Sequence, residues 1–185
     1  MNILSYGLLG LLTRDESSGY DLMLRIQPHW QAKHSQIYPI LSRMENEGLL
    51  SARWVEQTDK PDKKMYRVTD KGIQKLLDWM YTPVSTPALR DELNLRMICF
   101  QVTNPIVMKR WVDERRDWFE SRLAYYEALL ANLPEEAEQP GSPYFGEYIV
   151  NTKGTMTAKT GIQWCHWVNG LMNNHYQERE ATRTH

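Results

Sequence analysis

The sequence predicts a mostly α-helical protein whose N-terminal part is a small α+β domain. Three observations support this fold class. Apolar residues recur with helical spacing over residues 3–46 and 69–82. Residues 49–55 and 64–68 alternate between apolar and polar side chains, as two paired strands do. Beyond residue 104 the helical pattern continues over segments much longer than any in the first part.

Four helices are predicted in the first part. Residues 3–12 are apolar on nearly all sides, which is typical of a helix at the centre of a core. A second helix, capped by Ser17 or Ser18, runs to Ile26. A third begins near His34, and a fourth is capped by Thr69. The residues of the third helix that recur at i, i+4 and i+7, and are therefore expected to face the core, are Ile37, Leu41 and Met44.

The outer face of the third helix is short, polar and cationic, and a lysine-rich hairpin follows it. Residues 30–75 contain nine Lys or Arg and six Asp or Glu, a local charge of 9 − 6 = +3, whereas the whole chain carries −1. A helix enters the major groove of DNA with its N-terminal residues leading, and cationic side chains beside it bind phosphates. This layout is typical of a winged helix-turn-helix, and it predicts double-stranded DNA as the partner.

The predicted DNA contacts divide between the helix and the hairpin. Gln36 is suited to an adenine edge, and the lysines are suited to phosphates. The candidate residues are Lys33, His34, Ser35, Gln36, Tyr38, Pro39, Ser42 and Arg43 on the helix, and Lys60, Lys63, Lys64 and Tyr66 on the hairpin.

The second part of the chain is predicted to consist of long helices. Each start is marked by a capping residue before a proline, at Thr86-Pro87, Asn104-Pro105 and Ser142-Pro143. The middle helix, residues 104–133, would be roughly 45 Å long. Its apolar seam recurs every seven residues, which favours self-association, so we expect a homodimer. The seam residues assigned to this interface are Val112, Phe119, Tyr126 and Leu133.

These patterns define the expected organisation. Residues 1–82 form the winged helix-turn-helix domain, 83–90 a linker, 91–178 a helical dimerisation and effector domain, and 179–185 a disordered tail. Only two cysteines are present and no apolar run reaches ~20 residues, so we expect a cytoplasmic protein without a disulfide framework or a membrane partner.

Several motifs resemble the PadR family of transcriptional regulators. In the first part they are Ser18-Gly19-Tyr20-Asp21, residues 30–39, Glu47-Gly48-Leu49 and residues 63–72. In the second part, residues 89–93 and 142–148 resemble the branch that has long dimerisation helices. That branch contains the phenolic-acid-responsive repressor of phenolic acid decarboxylase genes and the virulence activator AphA.

The resemblance implies a homodimer that places two recognition helices on an inverted-repeat operator, with half-sites about 34 Å apart. It also implies a repressor that hydroxycinnamic acids such as p-coumarate or ferulate release from DNA. Aromatic rings would hold the phenyl group of such an effector, and Arg or His its carboxylate. The candidate effector residues are Tyr6, Trp30, Arg96, Tyr148, Trp164 and His166.

Two alternatives remain open from the sequence. One is an AphA-like activator without a phenolic effector, and another is a winged-helix protein-interaction module. An enzyme is not expected, because the sequence lacks a Gly-rich phosphate loop and a nucleophile motif. His166 and His175 are nine residues apart and so do not form a helical metal pair, and neither a metal nor another cofactor is expected.

Overall fold

The computed structural model describes residues 1–56, 62–87 and 90–183, the last ten of these as backbone only. The chain divides into two compact units, Met1–Thr86 and Pro87–His185. Lys60, a predicted DNA contact, lies outside the described residues.

In the part of the first unit that the structure describes there are four helices and three strands. The helices are α1 (Ile3–Leu11), α2 (Gly19–Ile26), α3 (His34–Asn46) and α4 (Asp70–Met80), and the strands are β1 (Ser17–Ser18), β2 (Leu50–Val55) and β3 (Lys63–Val68). This confirms the four predicted helices and the mostly α fold class.

Polar caps and one glycine set the ends of these helices. The Ser18 hydroxyl accepts a hydrogen bond from the Asp21 backbone N–H (3.2 Å), and the Thr69 hydroxyl accepts one from the Gly72 backbone N–H (3.2 Å). Gly48 has φ of +71°, a left-handed conformation that residues with a side chain rarely adopt, and the chain leaves α3 there. The sequence-predicted caps at Ser18 and Thr69 are therefore confirmed.

The sheet has one strand more than the sequence predicts. Its order is β1-β3-β2 with antiparallel pairing throughout, so β3 lies in the middle. Ser17 pairs with Tyr66, and Leu50 pairs with Val68. The prediction of a two-stranded hairpin is corrected, because the two residues before α2 form a third strand.

The core of the first unit lies between α1, α2, α3 and the sheet. The inner face of α3 is completely covered, as its i, i+4, i+7 pattern predicts. The buried core residues of this unit are Leu4, Leu8, Leu9, Leu12, Leu22, Met23, Ile26, Ala32, Ile37, Leu41, Met44, Leu49, Leu50 and Tyr66.

The described residues of the second unit form three helices and two 3-10 turns. They are α5 (Glu92–Ile98), a 3-10 turn (Phe100–Val102), α6 (Pro105–Ala131), a second 3-10 turn (Glu135–Glu138) and α7 (Phe145–Arg183). α5 begins after its cap Asp91 rather than at Thr86-Pro87. The predicted start at Asn104-Pro105 is confirmed. The backbone of α7 continues to Arg183, where the sequence predicts a disordered tail, and residues 184 and 185 lie outside the described ranges.

The heptad seam of α6 packs on α7 of the same chain. Val112 is fully buried against Cys165 and Val168. The Phe119 ring occupies the space beside Gly161, and the Tyr126 ring occupies the space beside Gly154. Leu133, the fourth seam residue, is half-buried after the end of α6. α7 of the same chain therefore covers Val112 and contacts Phe119 and Tyr126, and the assignment of the seam to a second subunit stays a prediction.

None of the helices in the described ranges combines the length and the apolar character that a membrane span needs.

The seam makes a stability prediction. Replacing Gly161 with Ala would place a methyl carbon too close to the Phe119 ring for a van der Waals contact. We expect the free energy of unfolding to fall by about 1–3 kcal/mol, the usual cost of overpacking, measured by urea denaturation. Gly170→Ala is the matched control on the same helix, because no atom lies within 4 Å of its added methyl group. It should gain up to about 1 kcal/mol from helix propensity. Equal stability of the two variants would contradict the packing.

Candidate DNA-binding interface

The outer face of α3 is open to solvent. The eight sequence-predicted contacts on this helix and at its cap are all exposed: Lys33, His34, Ser35, Gln36, Tyr38, Pro39, Ser42 and Arg43. The opposite face is buried in the core, so α3 presents one polar and cationic surface. Its dimensions and side chains suit the major groove of DNA.

Three aromatic rings form a row across the start of α3. The His34 ring stacks on Tyr38 (centroids 5.8 Å apart) and lies 6.2 Å from the Tyr20 ring of α2. Tyr38 rests on Gly19, where a Cβ would lie 2.7 Å from the Tyr38 ring. Gly19 therefore allows Tyr38 to lie flat between the two helices of the helix-turn-helix.

Gln36 has a structural contact that sequence reasoning missed. Its side-chain oxygen accepts a hydrogen bond from the Lys33 backbone N–H (3.0 Å), which caps the start of α3. A bidentate bond to adenine needs both the oxygen and the amide of this side chain. In this structure the oxygen is engaged, and the amide remains for recognition of a base.

We define the wing as β2, β3 and the turn between them. Two ion pairs connect it to the helices. Lys63 Nζ lies 2.8 Å from Asp21 Oδ2 on α2, and Lys64 Nζ lies 2.7 Å from Glu45 Oε2 on α3. The Glu45 carboxylate raises the pKa of the Lys64 ammonium, and Lys63 lowers the pKa of Asp21. Neither acidic partner was identified from the sequence.

Tyr66 is misplaced in the sequence-based list of DNA contacts. Its side chain is 4% exposed and belongs to the core of the first unit. Burial raises the pKa of its hydroxyl. Trp54 of β2, paired with Lys64 in the ladder, is 66% exposed instead and extends the outer surface of the wing.

A groove on the second unit lies between α5, α6 and α7. It encloses about 540 Å³. Its lining includes Arg115, whose guanidinium donates two hydrogen bonds to Asp91 and lowers the pKa of that carboxyl group. The lining residues that an aromatic ligand would contact are Leu93, Phe119, Met156, Gly161 and Trp164.

The structure brings only two of the six effector candidates to this region. Trp164 lines the groove, and Arg96 lines an adjoining one, where its guanidinium lies 4.9 Å from the centre of the Trp111 ring. Tyr148 and His166 lie on α7 outside the two linings.

The other two candidates, Tyr6 and Trp30, belong to the first unit. The Tyr6 ring stacks on Trp79 at 4.7 Å, and Trp30 is about half-exposed. Sequence reasoning missed Arg115 and Asp91, whose spacing along the chain gives no local signal.

Within the part of the chain that the structure describes, no group of three or more His, Cys, Asp or Glu side chains is arranged to hold a metal ion. The first unit has the fold and the exposed cationic helix of a winged-helix DNA-binding protein, and the second unit is helical.

Comparison with known proteins assigns the family. Residues 8–78 match the Transcriptional regulator PadR-like family, and residues 89–173 match the family named Virulence activator alpha C-term. The Negative transcriptional regulator PadR of Bacillus subtilis (strain 168) is 34% identical over 178 residues, which cover 89% of this chain and 94% of that protein. The chain belongs to the PadR-like family. It is a DNA-binding transcriptional regulator and not an enzyme.

Two solved structures of the Bacillus subtilis protein match most of the chain. Its complex with operator DNA has a TM-score of 0.79 at 30% identity, over 92% of this chain and 99% of that one. Its complex with p-coumaric acid has a TM-score of 0.74 at 28% identity, over 94% of this chain and 98% of that one.

The contact between Gly19 and Tyr38 makes a prediction about DNA binding. A methyl group at Gly19 would push the Tyr38 ring out of its position. We expect Gly19→Ala to weaken binding by about tenfold, the effect of losing 1.4 kcal/mol. Fluorescence anisotropy should be measured on the duplex that the wild-type protein selects from a randomised library. Gly10→Ala is the control, because no atom lies within 4 Å of its added methyl group, and unchanged affinity of both variants would refute the role of Gly19.

Proposed function

We propose that the protein is a homodimeric repressor that binds an inverted-repeat operator and that hydroxycinnamic acids release from DNA. The observation that carries the DNA-binding part is the division of α3 into a fully buried inner face and a polar, cationic outer face. This face is mostly polar, and its exposed Tyr38 ring is stacked on His34, whereas a protein-docking helix needs an exposed patch of apolar anchors. The phenolic response is supported by the p-coumaric acid complex of the Bacillus subtilis relative.

In this proposal α3 reads the bases and the residues around it bind phosphates. The Gln36 amide and Tyr38 face base edges, with the Pro39 ring against thymine methyl groups. Lys33 and Arg43 contact the phosphate backbone. His34, Ser35 and Ser42 complete the surface of the helix, and Lys60 brings the wing to the adjacent phosphates. Lys63, a phosphate contact in the sequence-based list, is instead paired with Asp21.

α7 offers a further apolar surface for the dimer beside the seam of α6. Several large apolar side chains of α7 are between about two-fifths and two-thirds exposed in the single chain: Ile149, Val150, Met156, Trp167 and Leu171. Apolar exposure on this scale supports burial against a second copy. Two-fold symmetry then requires an inverted repeat with half-sites about 34 Å apart.

The groove of the second unit is the proposed effector site. Phe119 and Trp164 offer faces for a phenyl ring, and the Arg115 guanidinium offers a partner for a carboxylate. A ligand releases DNA only by binding more tightly to the conformation that does not bind DNA. A regulator of this kind works beside the chromosome, so we place it in the cytoplasm.

An activator without a phenolic effector is the second candidate. The observation that favours it is the match of residues 89–173 to the Virulence activator alpha C-term family. The two candidates share the operator-binding unit and differ in what the second unit binds.

One titration tests the proposed function. The protein is added to a fluorescent duplex, selected by the wild-type protein from a randomised library, with and without p-coumarate. Tight binding that p-coumarate abolishes is the expected result. Binding that is indifferent to p-coumarate and ferulate would support the activator, and the absence of binding to any duplex would refute operator recognition.

Gln36 provides a sharper prediction about recognition. Gln36→Ala should reduce the preference for the selected duplex by about 1–3 kcal/mol and also lower helix stability through the lost cap. Gln36→Glu keeps an oxygen for the Lys33 N–H, so it should retain stability while losing the preference. Anisotropy on the selected duplex and on point variants of it measures preference, and thermal unfolding measures stability. Unaltered preference in both variants would exclude a reading role.

A further inference from the structure

Lys64 has three neighbours within the protein. Its ammonium lies 2.7 Å from the Glu45 carboxylate. It also lies 5.4 Å from the centre of the Tyr66 ring and 5.9 Å from that of Trp54, in the range of cation–π attraction. The side chains of Lys64 and Glu45 are each 30% exposed, so both are only partly available to solvent.

The ion pair joins the wing to the outer face of the recognition helix. Glu45 follows Tyr38 and Ser42 at i, i+4 and i+7, so the three residues lie on one side of α3. Lys64 comes from the middle strand of the sheet. The bond therefore spans the two elements that meet DNA in a winged-helix protein.

A phosphate is a poor competitor for this lysine. Moving the ammonium to the DNA backbone would leave the Glu45 carboxylate without its partner, and an uncompensated negative charge beside DNA repels phosphates. It would also remove the ammonium from the Trp54 and Tyr66 rings. Lys64 therefore contributes more to the affinity for DNA by remaining paired with Glu45 than by binding a phosphate.

We propose that Lys64 is a positioning residue, which through Glu45 holds the wing at a fixed angle to the recognition helix, and that it does not bind a phosphate. This inference rests on the proposed function, since it concerns the same DNA surface. It replaces the sequence-based interpretation of Lys64 as a phosphate contact.

The salt dependence of DNA affinity distinguishes the two roles. Each phosphate contact that is lost makes the dependence of log K on log salt less steep by about 0.9. The Lys64→Met variant keeps the apolar stem against the rings and removes only the charge. Lys33→Met is the matched control, because Lys33 is exposed at the start of α3. We expect Lys64→Met to bind the selected duplex about fivefold more weakly, equal to about 1 kcal/mol, with an unchanged slope. Lys33→Met should make the dependence of log K on log salt less steep.

A double-mutant cycle provides the second readout. Glu45→Gln should weaken binding by a similar factor, and the double variant Lys64→Met with Glu45→Gln should be no weaker than either single variant. Exchanging the charges, with Lys64→Glu and Glu45→Lys together, should recover most of the lost affinity. Circular dichroism and thermal unfolding confirm that each variant is folded.

Three outcomes would overturn the inference. A slope that falls in Lys64→Met as it does in Lys33→Met, with Glu45→Gln binding as tightly as wild type, would make Lys64 a phosphate contact. Wild-type affinity in the double variant would show that Lys64 only masks the charge of Glu45. Failure of the wild-type protein to bind any duplex would overturn the proposed function as well, and that result is visible before any variant is made.

Discussion

The burial of the inner face of α3 is the constraint on which the DNA-binding surface depends. Ile37, Leu41 and Met44 are completely enclosed by the core, so the helix cannot rotate about its axis without exposing them. With the rotation fixed, the residues between them must point outward. The cationic and polar surface is thus a consequence of apolar packing on the other side of the same helix. Gly48 then directs the chain from α3 into the wing.

The wing adds an electrostatic constraint to this packing. Asp21 on α2 and Glu45 on α3 each hold one lysine of β3, so the sheet is fastened to both helices of the helix-turn-helix. Exposed pairs of this kind contribute little to stability, typically 1 kcal/mol or less. Their effect is on geometry, because the relative angle of helix and wing determines whether both reach one DNA duplex.

The sequence predicts those features whose signal is local. The periodicity of α3, the Ser18 and Thr69 caps and the Asn104 start of α6 were all predictable. Strand β1 could not be predicted, because two serines show no alternation of apolar and polar residues. Its pairing partner β3 is also about 48 residues away in the sequence. Tyr66 shares one face of β3 with both Val68 and Lys64, so the alternation leaves its environment ambiguous, and only the tertiary fold shows that it is buried. The cover of the α6 seam was not predictable either, since a heptad pattern is the same whether its partner helix belongs to the same chain or another.

The seam and the groove share residues, so the proposed effector site and the packing of the helices depend on the same side chains. Phe119 fills the space beside Gly161 and also lines the groove. Asp91 caps α5 and binds Arg115 of α6 at the same place. A molecule that enters the groove therefore contacts the packing of α6 on α7 and the ion pair that holds the start of α5. Because tightly packed helices respond by discrete shifts rather than by gradual deformation, a molecule in the groove would shift both the packing of α6 on α7 and the start of α5.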